Sequence, residues 1–336
     1  MEILKKLCEL PGVSGREDAV REFIIDEIKD FADITVDPMG NIIAFVKGKK
    51  RAAKRVLADV HMDEVGFFIT NITEAGLLKF YPVGINISVL LGRRVKVGDK
   101  TGVIGIKPVH MIKGDAKDKM PEADSLYIDI GAGSRREAEE FVKLGDCAVF
   151  DEPYEALGDL VVSKALDDRA GCWALIDIIK SGPLYDFYAT FSVKEEVGFG
   201  ARTSTYTVDP EFAVVIESTT ASDIAGVEAE KRVCGVGGGA AISFMDRGTL
   251  YEKKLVDACL SLGSEKEIPC QLKSAVAGSN NAAGVHKTRA GVRTAAISVP
   301  CRYIHSAASV ASLKDIKAVR DLSEAMINKM ASGEIE

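Results

Sequence analysis

The chain has 336 residues, enough for about two domains at roughly 150 residues each. Its 43 Lys and Arg residues against 50 Asp and Glu residues give a net charge of −7, which gives no support for a nucleic-acid-binding role. Aromatic residues make up 7% of the chain, so few side chains could stack against sugars or bases. The hydrophobic share of 47% is that of an ordinary globular protein.

Cysteine usage and hydropathy bear on the compartment. The seven cysteines are an odd number and form no CxxC pair, so they predict reduced thiols rather than a disulfide framework. Residues 1–15 lack the long apolar segment of a signal peptide, and no apolar run approaches the ~18 residues of a membrane span. We therefore expect a cytoplasmic protein with no membrane partner.

Two helices are predicted at the start of the chain. Apolar residues recur at helical spacing over residues 3–10, and Pro11-Gly12 ends this run. Ser14 lies three residues before Glu17, the spacing of a capping box, and an apolar stripe follows over residues 20–31. The pattern predicts a second helix capped by Ser14.

Strands follow in two regions of different character. Residues 32–48 predict two short strands around a Met39-Gly40-Asn41 turn, and residues 55–70 predict a buried strand that runs into polar residues. From about residue 67 to 160, short β-like runs are separated by Gly, Lys and Asp turns, which predicts a small all-β module. The lysine- and aspartate-rich segment 113–124 within it is expected to be a mobile loop.

Strands and helices alternate again after about residue 160. A helix is predicted to begin near Asp167 or Asp168, and the last helix is predicted to be capped by Ser312. The whole pattern predicts an α/β fold, with a mixed, mostly parallel sheet flanked by helices and a β domain inserted at 67–160. The sheet domain would comprise residues 1–66 plus 161–336, with functional groups at the carboxyl ends of its strands.

Side chains that bind metals occur just past an apolar strand or at a helix start in five places. These places are His61 with Asp63, Asp167 with Asp168, Glu195 with Glu196, Glu217, and His305. Two of the chain's four histidines therefore follow apolar strands.

Each place taken alone has a second interpretation. His61 could bind a metal while Asp63, on the same strand face, holds its other ring nitrogen, although an isolated histidine is more often structural. The acidic pair at the helix start could bridge two cations or simply cap the helix. One of Glu195 and Glu196 could bind a metal while the other takes a proton from water, or both could be solvated.

Taken together, the five places favour a metal centre. Two histidines and several carboxylates, with no cysteine required, suit two divalent cations of the zinc, cobalt or manganese type. Two cations that share a carboxylate and a water make a hydroxide available near neutral pH. The chemistry that follows is hydrolysis of an amide or a related bond.

Five segments, in this order and at these intervals, resemble the glutamyl-aminopeptidase/TET family of dinuclear-metal aminopeptidases: HMDEVGF, KALDDRAGC, VKEEVGFGA, VVIESTTASD and VPCRYIHS. GVIGIKPVH and LYIDIGAGSRREAEEF also look like family segments, so the resemblance covers nearly the whole chain. Similar proteins have also been described as cellulase M or endoglucanases. The resemblance implies a zinc-peptidase-like catalytic domain (1–66 plus 161–336) and a small PDZ-like β-barrel (67–160) for oligomerisation, with a hollow dodecamer in many members.

The resemblance further implies two divalent metal ions per subunit, zinc or cobalt, with manganese as a third choice. His61, Asp167 and Glu217 would hold one ion. Asp167, Glu196 and His305 would hold the other, with Asp167 as the bridge.

Catalytic roles are implied in the same way. A metal-bridged water would attack the first peptide bond, Glu195 would act as general base and acid, and Asp63 would orient His61. The implied function is removal of N-terminal residues from peptide substrates. Two positions depart from the family pattern: Glu217 is commonly Asp, and Asn281 replaces Asp in a GTDAG-like stretch.

Three other functions remain open from the sequence. A deacylase or carboxypeptidase of the same wider clan would need an acid-recognising arginine, for which Arg169 and Arg302 are candidates. An endoglucanase would have to use Glu195-Glu196, which suits glycosidase acids poorly because those lie about 5–9.5 Å apart on opposite sides of the bond. An assembly protein that has lost turnover has only Asn281 in its support.

Overall fold

The computed structural model of the protein describes residues 1–111 and 120–335. The predicted mobile loop at 113–124 therefore lies largely outside the described residues. Among the described residues, none of the helices combines the length and the hydropathy of a membrane-spanning segment.

Helices and strands alternate along most of the chain. The helices are α1 (Glu2–Glu9), α2 (Asp18–Ile28), α3 (Arg135–Glu139), α4 (Leu166–Lys180), α5 (Arg202–Val208), α6 (Lys253–Glu265), α7 (Ala282–Val285) and α8 (Leu313–Ala331). The strands are β1 (Ala32–Val36), β2 (Ile42–Val46), β3 (Val56–His61), β4 (Gly66–Ile72), β5 (Leu78–Val83), β6 (Arg94–Val97), β7 (Lys100–Ile106), β8 (Leu126–Asp129), β9 (Cys147–Phe150), β10 (Glu155–Leu157), β11 (Leu160–Ser163), β12 (Phe187–Ser192), β13 (Phe212–Thr220), β14 (Ala240–Ile242), β15 (Cys270–Leu272), β16 (Arg293–Arg302) and β17 (Ser309–Ser312).

A large mixed sheet forms the centre of the protein. Its strands run in the order β1-β2-β12-β3-β13-β16-β17-β11-β10, with β14 also paired to β16 and β15 paired to β14. The four neighbours β12, β3, β13 and β16 are parallel, whereas pairing at both outer ends of this order is antiparallel. Runs such as Phe212–Ile216 are fully buried because helices, including α4 and α8, pack against the sheet. The predicted mixed α/β fold is confirmed.

A closed barrel forms the second architectural unit. Its strands follow the order β4-β5-β8-β7-β6-β9, and they enclose a separate apolar core. The ring of Phe67 meets those of Phe80 and Phe150 edge to face, at centroid distances of 5.1 and 5.3 Å. The predicted inserted barrel is therefore present.

The barrel strands begin and end at residues that differ from the bounds predicted for the inserted domain. β4 already begins at Gly66, and β10, which the prediction placed within 67–160, pairs with β11 in the large sheet. The barrel strands thus span residues 66–150. The division of the chain into two domains stays a prediction.

One predicted helix cap is confirmed and one is wrong. The Ser312 hydroxyl accepts a hydrogen bond from the backbone N–H of Lys314 at the start of α8. Ser14 does not cap α2, which begins at Asp18 with Glu17 in the cap position. The Ser14 side chain instead turns toward Asp63, to which its hydroxyl donates a hydrogen bond at 2.6 Å.

Candidate metal centre

The carboxyl ends of the central parallel strands carry the candidate site. Such ends form one edge of a sheet, where side chains from distant segments can meet. The predicted site residues occupy the following places: His61 ends β3, Asp63 follows it, Glu195 and Glu196 follow β12, Glu217 lies in β13, His305 follows β16, and Asp167 lies at the start of α4.

One group of metal-binding atoms surrounds His61. Its Nε2 lies 3.3 Å from Oδ1 of Asp167 and 3.2 Å from Oε1 of Glu217. All three side chains are largely buried, with exposed fractions of 2%, 11% and 6%. Glu217 reaches this group from within β13, which continues to Thr220 rather than ending at the acid as expected from the sequence.

A second group surrounds His305 and shares Asp167. The Nε2 atom of His305 lies 3.4 Å from Oδ2 of Asp167 and 3.2 Å from Oε2 of Glu196. The candidate ligand atoms of each group lie within 4.8 Å of one another. Asp167 therefore turns one carboxylate oxygen toward each histidine.

Asp63 connects the first group to the turn after β12. Its Oδ1 lies 3.3 Å from Nδ1 of His61, and the Ser14 hydroxyl donates to its Oδ2 at 2.6 Å. The backbone N–H groups of Glu195 and Glu196 donate to the same carboxylate at 3.0 and 3.1 Å. Burial raises the pKa of Asp63, but contact with His61 and the donated hydrogen bonds outweigh it and hold the pKa below its usual value.

Glu195 and Glu196 form a 3₁₀ turn between two left-handed residues, Lys194 with φ 60° and Gly198 with φ 80°. A left-handed conformation is sterically disfavoured for a non-glycine residue such as Lys194. Neighbouring side chains on a strand point to opposite faces, whereas this turn brings both carboxylates to one site. Glu196 joins the second group, and Glu195 lines the adjacent cavity.

The electrostatics favour bound cations. Burial, with repulsion from neighbouring carboxylates, raises the pKa of Glu195, Glu196 and Glu217. Within residues 1–111 and 120–335, Oε2 of Glu217 is buried without a hydrogen-bond partner. Positive charge placed among these groups would offset both costs.

The spacing of the candidate ligands fits small divalent cations. A tetrahedral site with bonds of about 2.0–2.1 Å has ligand-to-ligand edges of about 3.3–3.4 Å. The four N···O separations from His61 and His305 are 3.2–3.4 Å. Both groups therefore suit ions of the zinc class in the number, type and spacing of their ligands.

Asn281, one of the departures from the family pattern, forms hydrogen bonds with the strands that carry the site. Its amide donates to Oδ2 of Asp59 at 2.8 Å and to the Ser192 hydroxyl at 2.7 Å, and its carbonyl accepts from the N–H of Ala201 at 3.2 Å. Burial raises the pKa of Asp59 to about 7, although hydrogen bonds from Thr190 and Asn281 oppose the shift. Asn281 thus holds β3, β12 and the segment before α5 together.

A cavity of about 170 Å³ adjoins the two groups. The cavity is lined by residues that include Ser218, Thr219, Lys273, Asn280 and Ser298, none of which the sequence analysis singled out. The polar residues directly after Glu217 were a usable sequence signal for the cavity wall. Lys273 and Ser298 gave no such signal, because they follow or lie in apolar segments.

The two arginines considered for substrate recognition lie elsewhere. Arg169 is fully buried and donates to the backbone carbonyls of Leu7 and Leu10. Arg302 forms a two-pronged ion pair with Asp223 at 2.7 Å. Neither lines the cavity beside the histidines.

Comparison with known proteins identifies the family. The sequence pattern of the M42 glutamyl aminopeptidase family matches residues 40–322. The chain belongs to this family. It is 38% identical over 331 residues to a putative aminopeptidase from Acetivibrio thermocellus, covering 97% of this chain and 98% of that protein.

Solved structures agree with this M42 assignment. An aminopeptidase from the archaeon Desulfurococcus kamchatkensis superimposes with a TM-score of 0.94 and 34% identity, covering 100% of this chain and 96% of that one. The TET1 peptidase of Pyrococcus horikoshii, which can assemble into a tetrahedron or a large octahedral shell, matches with a TM-score of 0.84 and 35% identity over 97% and 98% of the two chains. The protein is an aminopeptidase, and the resemblance noted in the sequence is confirmed.

Proposed function

We propose that this aminopeptidase uses two bound divalent metal ions to remove N-terminal residues from peptides. We also propose that Glu195 transfers a proton from the attacking water to the departing amine. The supporting observation is the position of Asp167, whose two oxygens lie 3.3 Å from Nε2 of His61 and 3.4 Å from Nε2 of His305. A carboxylate that offers one oxygen to each of two histidine-containing groups has the form of a bridging ligand.

The residues would divide between the two ions. His61, Asp167 and Glu217 would hold one ion, and Asp167, Glu196 and His305 would hold the other. Imidazole and carboxylate ligands without thiolate suit zinc or cobalt, with manganese as a further choice. When bound, the ions supply Lewis-acid polarisation of the scissile carbonyl and a lowered pKa for water.

Glu195 would serve as general base and then general acid. Its carboxylate lines the cavity with His61 and His305 but, in the described part of the chain, belongs to neither ligand group. One Glu195 oxygen would accept a proton from the attacking water and deliver it to the departing amine. Asp63 would act indirectly, by fixing the ring of His61 and the backbone of the turn that carries Glu195.

The deacylase and carboxypeptidase alternatives are less well supported than the aminopeptidase. A deacylase or carboxypeptidase was expected to use an acid-recognising arginine, and neither candidate arginine lines the cavity. Arg169 is committed to α1 and Arg302 to Asp223. Membership of an aminopeptidase family likewise favours peptide hydrolysis over an endoglucanase or an inactive assembly protein.

The Glu195→Gln variant tests the assigned role. It keeps the size and hydrogen-bonding capacity of the side chain but cannot accept the proton, so kcat on aminoacyl-anilides should fall about 10²–10⁴-fold. Metal content, measured by mass spectrometry of the dialysed protein, should stay at the wild-type value. Glu22→Gln, on the exposed face of α2, is the matched control and should keep full activity. Near-wild-type turnover of Glu195→Gln with both ions bound would refute the role.

We further propose that the barrel mediates assembly into a homo-oligomer, with a dodecamer as the candidate form, and that the enzyme works in the cytoplasm. Support for assembly comes from the related TET1 peptidase and from large apolar side chains exposed on the barrel, such as Tyr81 and Leu144. Support for the compartment comes from the cysteines, which are free thiols in the described residues.

A further inference from the structure

Four successive backbone N–H groups in the turn that carries Glu195 each donate to a buried side chain. The donors and their acceptors are Val193 to Asn41 at 2.9 Å, Lys194 to Glu17 at 3.2 Å, and Glu195 and Glu196 to Asp63 at 3.0 and 3.1 Å. The three accepting side chains come from the first 63 residues of the chain and are at most 3% exposed. The N-terminal part of the chain therefore holds this turn through side chains.

Glu17 reaches the turn from the cap position of α2. Its Oε1 also accepts a hydrogen bond from the N–H of Gly15 at 2.6 Å, which fixes the carboxylate in place. Lys194 has a left-handed backbone with φ 60°, a conformation that a non-glycine residue keeps only where its surroundings hold it. The hydrogen bond to Glu17 therefore acts on a strained residue that directly precedes Glu195.

Asn41 holds the start of the same turn. It directly precedes β2, which pairs with β12, so it lies beside the point at which β12 ends. Its amide donates to Oδ2 of Asp37 at 2.7 Å and to the hydroxyl of Thr203 at 2.9 Å. These two contacts fix the side chain while its Oδ1 accepts from the turn, so Asn41 links the end of β12 to α5.

Packing does less to fix the turn beyond Glu196. The side chains of Val197 and Phe199 are exposed, whereas Val193 is buried. The hydrogen bonds to the backbone before and at Glu195 therefore do most to set where its carboxylate lies.

Both residues occur in sequence motifs that predict only local structure. Glu17 completes the capping-box spacing that starts at Ser14, and Asn41 completes the turn that starts at Met39. In the structure, the side-chain oxygens of Glu17 and Asn41 point instead to the turn after β12, more than a hundred residues further along the chain. These contacts indicate a role at the candidate site in addition to the local one.

We infer that Glu17 and Asn41 are positioning residues for Glu195, which hold its turn so that the carboxylate meets the attacking water in the reactive geometry. Proton transfer needs the two heavy atoms within hydrogen-bond distance, and a displacement of about 1 Å can cost roughly 100-fold in rate. Glu17 and Asn41 act through the backbone of the turn, so their loss should lower kcat and change KM little. This inference rests on the proposed role of Glu195 and adds the residues that fix its position.

The first test separates kcat from KM on the aminoacyl-4-nitroanilide that the zinc- or cobalt-loaded wild type cleaves fastest. Glu17→Ala and Asn41→Ala each remove an acceptor and should lower kcat about 10–100-fold with KM little changed. Glu17→Gln keeps an acceptor oxygen and should restore most of the wild-type kcat. Burial raises the pKa of Glu17, so the neutral amide suits this position. Ile28→Val, a buried change at the other end of α2, lowers stability away from the turn and should keep the wild-type kcat.

Hydrogen–deuterium exchange, read by mass spectrometry, checks the same contacts without turnover. The backbone amides of residues 193–196 should exchange faster in Glu17→Ala and Asn41→Ala than in the wild type, because local opening becomes easier. Their exchange should stay close to the wild-type rate in Glu17→Gln and Ile28→Val. The metal content of all four dialysed variants should match that of the wild type.

A wild-type kcat or wild-type exchange in either alanine variant, or an equal fall of kcat in Glu17→Gln and Glu17→Ala, would overturn the inference and leave the proposed function intact. A loss of kcat that added zinc or cobalt reverses would also overturn it, because the effect would then lie at Glu196 and its ion. Rapid turnover by Glu195→Gln with its full metal content would overturn the proposed function and this inference together.

Discussion

Two adjacent aspartates at the start of α4 have different roles. Asp167 turns its oxygens to the two histidines, whereas Asp168 is fully buried and accepts a hydrogen bond from the N–H of Gly171 at 3.1 Å, as a helix-capping carboxylate does. The sequence offered capping and cation binding as alternatives for the pair. Both residues have non-helical backbone angles, so their side chains diverge, and this local geometry is not readable from residue types alone.

Asn281→Asp should destabilise the protein by about 1–3 kcal/mol, as measured by urea unfolding. The substitution removes the amide that donates to Asp59 at 2.8 Å and places a second carboxylate against the first. The carbonyl contact with the N–H of Ala201 would survive, so the loss reports on the two contacts of the amide group, with Asp59 and with Ser192. An unfolding free energy equal to that of the wild type would contradict this account of Asn281.

The exchange of the two residues provides the control. Asp59→Asn combined with Asn281→Asp again gives one amide and one carboxylate in contact, so the double variant should recover most of the lost stability. A double-mutant cycle should therefore show a coupling energy of at least about 1 kcal/mol, as contacting buried residues do. Additive losses would mean that the two side chains are energetically independent.

At the scale of elements, apolar runs were the reliable signal. The strands that end near His61 and His305 were predictable because long buried segments have a strong pattern. The Ser14 cap was wrong because the Ser14 side chain is oriented toward Asp63, a tertiary contact that the local sequence pattern does not encode. β14 and β15 were not predicted, since three residues are too few for a periodic pattern, and Lys273 was missed with them.

A buried ion pair fastens α1 and the following turn to the large sheet. The Lys164 ammonium lies 2.8 Å from the Glu64 carboxylate and also donates a hydrogen bond to the carbonyl of Leu10. The Glu64 carboxylate accepts a further hydrogen bond from the N–H of Gly12. Both charged side chains are at most 5% exposed. Lys164→Met should therefore cost about 1–3 kcal/mol of unfolding free energy, because the buried Glu64 carboxylate loses its closest partner and keeps Arg169, at 3.6 Å, and the N–H of Gly12.

An exposed ion pair calibrates this prediction. Lys54 and Glu211 lie 2.8 Å apart with side chains 40% and 51% exposed, so Lys54→Met should change the unfolding free energy by less than about 1 kcal/mol. Circular dichroism during urea unfolding measures both variants under the same conditions. Equal effects of Lys164→Met and Lys54→Met would show that burial does not determine the cost.

At the scale of the whole molecule, chain order and spatial order differ. The proposed ligands are spread from residue 61 to residue 305, and the four central strands bring them together because β3 lies between β12 and β13. Motif order and spacing were enough to predict this edge of the sheet through the resemblance to a family. The part of the cavity wall formed by Lys273 and Ser298 was not predictable, since these residues come from segments whose pairing becomes apparent only in three dimensions.

The proposed assembly gives the prediction for the whole molecule. Static light scattering after size-exclusion chromatography should give a mass that is a multiple of the 36.0 kDa chain. Tyr81→Lys with Leu144→Lys should reduce that mass, because these barrel side chains are 65% and 64% exposed and an interface would desolvate the introduced charges. Leu184→Lys, an equivalent change outside the barrel, should leave the mass unaltered. A monomeric wild type at micromolar concentration, or an oligomer disrupted by Leu184→Lys alone, would exclude barrel-mediated assembly.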